Sequence, residues 1–399
     1  MTPTATPGAP SRRVVVTALG IAQLLGWGTS FYFPAVLAGP IVADTGWSLG
    51  LVVGGTSIGL LVAGLISPRV GRLIDRHGGR PVLTASPLLH ALGLIVVGLS
   101  PNIAVYLAGW VIIGAAMGTG LYDAAFAALG RLYGNGARGA IASLTLFGGF
   151  ASTVCWPLGA FLVETFDWRV TCLVYAGLHL FITLPLHLVM PRDAGRTLPE
   201  TPAHDIAMPA GEAAPNERML FILLALVLTI AAGVGAVVIV HLLIFLQARG
   251  FDYAAAVALG TLFGPSQVGA RIVERLFGQH YHPIWTMGAA SAGMAIGLAM
   301  LFGGFPVLAL AILIYAAGYG ISWIARGTLP LALFGAARYP TLMGRLAFPS
   351  LIVQALAPSL GALLLEHRGV DATLATLTVL ALVNVALVGV LWWFCRGRR

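Results

Sequence analysis

Lysine is absent from this 399-residue chain: all 22 basic residues are arginine, and only 14 acids accompany them. Charged residues make up 9% of the chain against 58% hydrophobic ones. A soluble chain of this length needs more polar surface to cover its core, so a soluble enzyme is excluded. Cysteine is scarce too. Cys155, Cys172 and Cys395 all lie in or beside apolar runs, with no Cys-x-x-Cys spacing. That excludes a disulfide framework and reads as small buried apolar residues, with thiophilic binding at Cys155 or Cys172 as the alternative. Without lysine there is no nucleotide-binding Gly-Lys-Ser/Thr loop, and the scattered acids form no metal-ligand cluster or catalytic arrangement. No cofactor and no metal are expected. The net charge of +8 is dispersed rather than gathered on one stretch, so it does not indicate a nucleic-acid surface.

What the chain does have is long apolar runs. Many windows reach the ~20 residues that span a bilayer. The runs predict twelve helices, over about 14–40, 48–70, 81–100, 103–132, 138–164, 168–190, 218–248, 253–278, 283–303, 305–334, 339–366 and 370–394. The first run is longer than the apolar core of a signal peptide and carries Gln23, Trp27 and Tyr32, so it reads as the first span.

The arginines then fix orientation. One set of alternate gaps holds only Arg169, Arg249 and Arg368, together with Asp44, Glu164, Asp167, Asp252, Glu366 and Asp371. The other gaps and both termini hold the rest, including Arg12, Arg13, Arg69, Arg72, Arg76, Arg80, Arg131, Arg138, Arg192 and Arg338. By the positive-inside rule both termini are cytoplasmic, in the plasma membrane of a cell, with a bacterial inner membrane favoured. Residues 1–13 read as a disordered cytoplasmic terminus and 191–217, rich in Pro, Ala, Asp and Glu, as a cytoplasmic linker. The linker separates a six-helix bundle over 14–190 from a second over 218–395, with 396–399 as the cytoplasmic tail.

The halves repeat at an offset near 200 residues. Gly55-Thr-Ser-Ile-Gly59 corresponds to Gly260-Thr-Leu-Phe-Gly264, Gly118-Thr-Gly120 to Gly318-Tyr-Gly320, and Gly159-Ala-Phe-Leu-Val-Glu164 to Gly361-Ala-Leu-Leu-Leu-Glu366. This is the pattern of a duplicated six-helix transporter half.

Between the second and third runs lies Gly71-Arg-Leu-Ile-Asp75-Arg76-His-Gly78-Gly79-Arg80. The stretch resembles the loop signature of the major facilitator superfamily, with Gly79 at a position where a basic residue is usual. The resemblance implies an all-α polytopic fold of twelve transmembrane helices in two pseudo-symmetric six-helix bundles. It also implies a secondary transporter working by alternating access. Gly71 and Gly78 would allow close packing and the turn. Asp75 and Arg76 would latch the cytoplasmic side, with Arg131 or Arg138 as partner, and Arg80 would anchor at anionic lipid. Glu274 is a candidate for the acid of a decayed second copy.

Other stretches resemble the monocarboxylate and oxalate/formate branch: Gly46-Trp47-Ser48, the region from Gly118 through Arg138 to Trp156-Pro157-Leu-Gly159, and Asp167-Trp-Arg169. In that branch an arginine of the eighth helix is thought to hold the substrate carboxylate. Arg271 matches it, with Gln267 one turn earlier where an acid is often found.

Physics singles out the same arginine. A guanidinium within an apolar run is costly and offers bidentate hydrogen bonds to a carboxylate; the competing reading is an interfacial anchor or a partner for Glu274. Asp123 and Arg326 lie at matching depths on the fourth and tenth helices. They read either as a gate ion pair, as a titrating Asp123, or as locally paired or snorkelling side chains. Gln23 and Trp27, one turn apart, with Tyr122, His241 and Trp323, are further candidates for lining a substrate cavity or for packing the core.

The favoured substrate is a small organic anion such as a monocarboxylate, moved by proton symport or exchange. An exporter of drugs, toxic metabolites or metalloids is the runner-up, and a transporter-like sensor the third reading. The expected partners are that small-molecule substrate, a co-transported proton and membrane lipids, with the protein acting as a monomer.

Overall fold

The computed structural model describes residues 10–192 and 215–396. Its elements are α1 (Arg12–Thr29), α2 (Phe33–Thr45), α3 (Leu49–His77), α4 (Gly79–Gly98), α5 (Ile103–Gly120), α6 (Tyr122–Tyr133), α7 (Arg138–Gly149), α8 (Ala151–Thr165), α9 (Trp168–Leu178) and α10 (Leu184–Leu188). They continue as α11 (Pro215–Ala248), α12 (Tyr253–Gly260), α13 (Phe263–Phe277), α14 (Pro283–Phe302), α15 (Leu308–Phe334) and α16 (Tyr339–Arg396).

Among the described residues, nine helical stretches are long and apolar enough to cross a membrane. Two of them, of 63 and 57 residues, far exceed the ~20 residues a bilayer needs. Each turns back on itself, the first at the short helix Gly134–Ala137 and the second at Gly369, whose φ of 78° no helix accommodates. α12 and α13 form a further pass, broken and arginine-bearing. Among the described residues the passes therefore number twelve, and the chain is an all-helical polytopic membrane protein. Large apolar side chains on the outer surface, such as Phe181 at 81% and Trp393 at 67% exposure, are covered by lipid rather than water.

Several expected boundaries need correction. The single helix over 14–40 runs instead from Arg12 to Thr45 and breaks after Thr29, just before Pro34 at the start of α2. Arg12 and Arg13, placed in the disordered terminus, begin α1, because Ser11 caps it by accepting from Val14 N. The eighth span, expected as one helix, is interrupted between Gly260 and Phe263; Pro265 has no N–H to continue the ladder there but fits the first turn of a new helix. Residues 215–217, assigned to the linker, start α11. The rest of the linker and most of the N-terminal stretch and tail lie outside the described residues.

The described residues cluster into two compact units. One holds residues up to 192 together with Arg338–Gly344; the other holds 215–337 and 345–396. Within each unit small residues let backbones approach. A Cβ on Gly114 would stand 2.5 Å from Gly59 O in the first unit, and one on Gly318 would stand 2.6 Å from Ala290 O in the second.

The polar residues between runs mostly serve helix ends. Ser48, Asn102, Asp167 and Asp252 each cap a following helix by accepting from a backbone N–H. Two of the three arginines in the arginine-poor gaps cap helix C-termini, where carbonyls lack intrahelical donors. Arg169 donates to Gly98 O and Ser100 O at the end of α4, at 3.1 and 2.9 Å, and stacks on Trp168. Arg249 donates to Leu301 O at 2.9 Å and Phe302 O at 2.8 Å at the end of α14, and pairs with Asp371 at 2.8 Å. Arg249→Ala is therefore expected to cost about 1–3 kcal/mol of stability, since two carbonyls lose a charged donor. Thermal unfolding in detergent would show this as a midpoint several degrees lower, with Arg249→Lys intermediate because its ammonium cannot span both carbonyls in the same fork.

Candidate functional site

In the first unit, Gln23, Trp27 and Tyr122 come together. The fourth span breaks at Leu121, between α5 and α6. There the Gly120 carbonyl accepts from Gln23 Nε2 at 2.6 Å. Gln23 Oε1 in turn accepts from Trp27 Nε1 at 3.2 Å, and the Trp27 ring lies 5.1 Å from that of Tyr122. Tyr122 OH donates to Thr145 O at 3.2 Å. All three residues are buried. Asp123 follows in the first turn of α6, where the helix dipole favours an anion; it is half-buried.

The loop motif is built as a tight corner. Gly78, at φ 84°, ends α3 and starts α4, a backbone geometry that suits glycine. Asp75 meets Arg131 at 3.8 Å, and the same guanidinium donates to the Asp75 carbonyl. Thr341 Oγ1 donates to Asp75 Oδ2 at 2.9 Å, within the Arg338–Gly344 segment that packs on this unit. Gly71 is where that segment approaches: a Cβ there would stand 2.5 Å from Pro340 O and 3.1 Å from Gly344 Cα. Ser67 Oγ donates to Gly344 O at 2.9 Å. Arg76 is exposed and Arg80 half-exposed, at the same corner.

In the second unit, Arg271 and Gln267 lie one turn apart on α13 and face α15. Arg271 is 3% exposed; its Nε donates to Gly320 O at 2.9 Å and its NH2 group to Gln267 Oε1 at 3.3 Å. Gly320 makes this reach possible, since a Cβ there would stand 2.8 Å from Gln267 Cα and O. Glu274 lies three residues further along α13. It accepts from Tyr281 OH at 2.5 Å and Thr286 Oγ1 at 2.7 Å, a polar knot at the far end of α13. Along α15 an aromatic ladder joins Tyr315, Tyr319 and Trp323, with Phe263 against its first two rings. Arg326, 4% exposed, lies over the Trp323 ring at 5.5 Å. His241 is buried apart from these groups, donating from Nδ1 to Val237 O at 3.0 Å and tilted against Phe245.

Gly120 and Gly320 are repeat equivalents, and each presents its carbonyl to a long polar side chain of its own unit. Gln23 fills that role in one and Arg271 in the other. The repeat was legible, but the shared carbonyl was not, because backbone acceptors leave no mark in composition. Cys155 and Cys172 are buried at helix contacts. Cys155 Sγ lies 3.8 Å from Leu24 O, and a Cβ on Gly98 would meet Cys172 Cβ at 2.9 Å.

No curated protein sequence matches the chain. Solved structures do. A human organic anion transporter, MFSD10 (TETRAN), is 19% identical with a TM-score of 0.72, covering 95% of this chain and 100% of its own. The proton:xylose symporter XylE bound to 6-bromo-6-deoxy-D-glucose is 13% identical with a TM-score of 0.71, covering 94% of each chain. The transporter FucP in its outward conformation is 15% identical with a TM-score of 0.70, over 96% of this chain and 98% of its own. At these identities the likeness shows the fold. The family comes from the sequence itself, where residues 18–284 match the Major Facilitator Superfamily. Twelve passes, the Gly71–Arg80 corner and that match together make the chain a member of the major facilitator superfamily, a secondary membrane transporter and not an enzyme.

Proposed function

We propose that the protein moves a small organic anion, in the manner of the monocarboxylate and oxalate/formate porters, by proton symport or exchange. Arg271 carries this reading. A charge inside an apolar pass is expensive and marks a functional position. This guanidinium is held in orientation by the Gly320 carbonyl, and Gln267 Oε1 accepts from its NH2 group. A carboxylate taking the place of Gln267 would replace a neutral acceptor by an anionic one, making a bond between two opposite charges. Among proteins of the same fold, one is described as an organic anion transporter and another as a proton symporter.

Arg271, Gln267 and Trp323 in the second unit, and Gln23, Trp27 and Tyr122 in the first, are taken as substrate contacts, with His241 as a weaker one. Asp75, Arg76 and Glu274 serve gating, as do Asp123 and Arg326, which the sequence places at matching depths on the fourth and tenth passes. The arginine-rich gaps and both termini face the cytoplasm, and 191–217 links two six-helix bundles of a monomer.

The test is substrate counterflow in proteoliposomes, with small mono- and dicarboxylates against neutral sugars of similar size. Carboxylate exchange without sugar exchange is the expected result; sugar exchange with carboxylates ignored would overturn it. Asp123→Asn and Arg326→Gln are each expected to slow transport by about tenfold or more, the worth of ~1.4 kcal/mol. Unchanged rates in both would make the two charges structural.

A further inference from the structure

Two histidines outside the candidate substrate site stack inside the first unit, and a third lies further along the same face of one of their helices. His90 lies on α4, while His179 and His187 lie on the sixth pass, and they are 1%, 0% and 2% exposed. The His90 and His179 rings stack with centroids 4.4 Å apart and planes 5° from parallel.

Their hydrogen bonds fix the tautomers. His90 Nδ1 lies 3.1 Å from Ser86 O, and His187 Nδ1 lies 3.1 Å from Thr183 O. A carbonyl only accepts, so each Nδ1 carries the hydrogen and each Nε2 is a bare lone pair. His179 Nε2 lies 2.7 Å from Thr29 Oγ1, whose hydroxyl already donates to Leu25 O at 2.8 Å. Thr29 therefore accepts, His179 is hydrogenated at Nε2, and its Nδ1 is bare. His90 Nε2, His179 Nδ1 and His187 Nε2 all lack a partner. The result is three buried basic lone pairs with no donor, an arrangement protein interiors rarely leave unused.

A distorted turn builds the cluster. His179 and His187 are eight residues apart, which at ~100° per residue would set them ~80° apart around a regular helix. Residues 179–183 instead form a π turn, with Leu184 N donating to His179 O. The turn absorbs one extra residue, so the two histidines sit as if seven apart, within ~20° and on one face. Pro185, which has no N–H to offer the preceding turn, accounts for the distortion.

The groups facing the rings are neutral. α1 contributes Thr29, α4 contributes Ser86, α5 contributes the Ala116 carbonyl that holds Ser86, and the sixth pass contributes Thr183. Among the described residues, the titratable groups acting on His90 and His179 are the histidines of the cluster. No set of three or more His, Cys, Asp or Glu among the described residues has metal-holding geometry. The species that fits bare imidazole lone pairs without counter-ions is a proton. Two cations within ~5 Å in an apolar interior repel strongly, so the stack holds one proton and not two.

We infer that His90, His179 and His187 form a buried site that binds a single proton and couples it to transport. The inference deepens the proton-coupling part of the proposed function and rests on that reading; it does not depend on which substrate is carried. The direct test is 15N NMR of histidine-labelled protein in nanodiscs, titrated from pH 8 to pH 4. The expected result is one ring-protonation event assigned to the cluster and absent from His179→Asn. Cluster rings that keep neutral shifts throughout would overturn the site, and so would two or more protons taken up independently. In proteoliposomes, accumulation driven by a pH gradient is expected to fall at least tenfold in His90→Gln and His179→Asn, with a flattened pH profile. Wild-type accumulation and pH profile in both variants would overturn the coupling role. A wild-type protein that ignores carboxylates would sink the anion reading while leaving the titration result standing.

Discussion

Arg271→Ala is expected to lower carboxylate transport by about 100-fold, with Arg271→Lys recovering only a small part. The size follows from chemistry. A charge-assisted hydrogen-bond pair to a carboxylate is worth about 3 kcal/mol, and each 1.4 kcal/mol is a factor of ten. Lysine keeps the charge but has neither the planar fork nor the Nε that reaches the Gly320 carbonyl. Because alanine also strips that buried carbonyl of a donor, it confounds loss of charge with loss of support. Arg271→Gln separates the two. Its amide offers the carbonyl a neutral donor, so its thermal stability is expected to stay near wild type while transport remains as low as in alanine. Initial rates across substrate concentrations are the measurement. Carboxylate transport within about threefold of wild type in both Arg271→Ala and Arg271→Gln would remove Arg271 from the substrate site.

Gly71→Val is the second change with a large expected effect. A Cβ at this position would stand 2.5 Å from Pro340 O, and Gly344 is hemmed in likewise, with its own Cβ position 2.3 Å from Ser67 O. Both obstacles are backbone, so no side chain can swing aside. The Arg338–Gly344 segment then cannot pack on α3, and the Ser67–Gly344 and Asp75–Thr341 hydrogen bonds go with it. Overpacking of this kind costs about 1–3 kcal/mol locally. Transport is expected to fall tenfold or more in Gly71→Val and equally in Gly344→Val. Thr341→Val, which removes one hydrogen bond of about 1 kcal/mol, should be mild. Alkylation of a cysteine placed at Thr341 should speed up in the Gly71→Val background. Normal transport with unchanged alkylation would show that this packing has no part in the cycle.

The sequence disclosed the fold because lipid imposes a coarse code. Apolar runs of bilayer length, arginine in alternate gaps, and one glycine–acid–arginine corner each survive averaging over many residues. What escaped were features decided by one backbone group. A hydropathy window cannot see that the first span stops at Thr29, the fourth at Gly120 or the eighth at Gly260, since each break lies inside an unbroken apolar run. Arg169 and Arg249 stood out as topological exceptions. Their purpose depends on carbonyls at the ends of α4 and α14, far away in sequence. Asp75 was placed beside a basic residue on motif grounds and lies beside Arg131, while its hydrogen bond to Thr341 had no signal in the loop. The histidine cluster was invisible for a different reason. At regular helical spacing His179 and His187 point apart, and only the π turn ahead of Pro185 brings them onto one face.

The carbonyls of Gly120 and Gly320, matched in the sequence, are a pair of sockets with different plugs. One holds the amide of Gln23 and the other the cation of Arg271. The two acceptors are thus alike and their occupants differ in charge. Exchanging the plugs, with arginine at 23 and glutamine at 271, would move a positive pole from one half to the other while leaving the scaffold its donors.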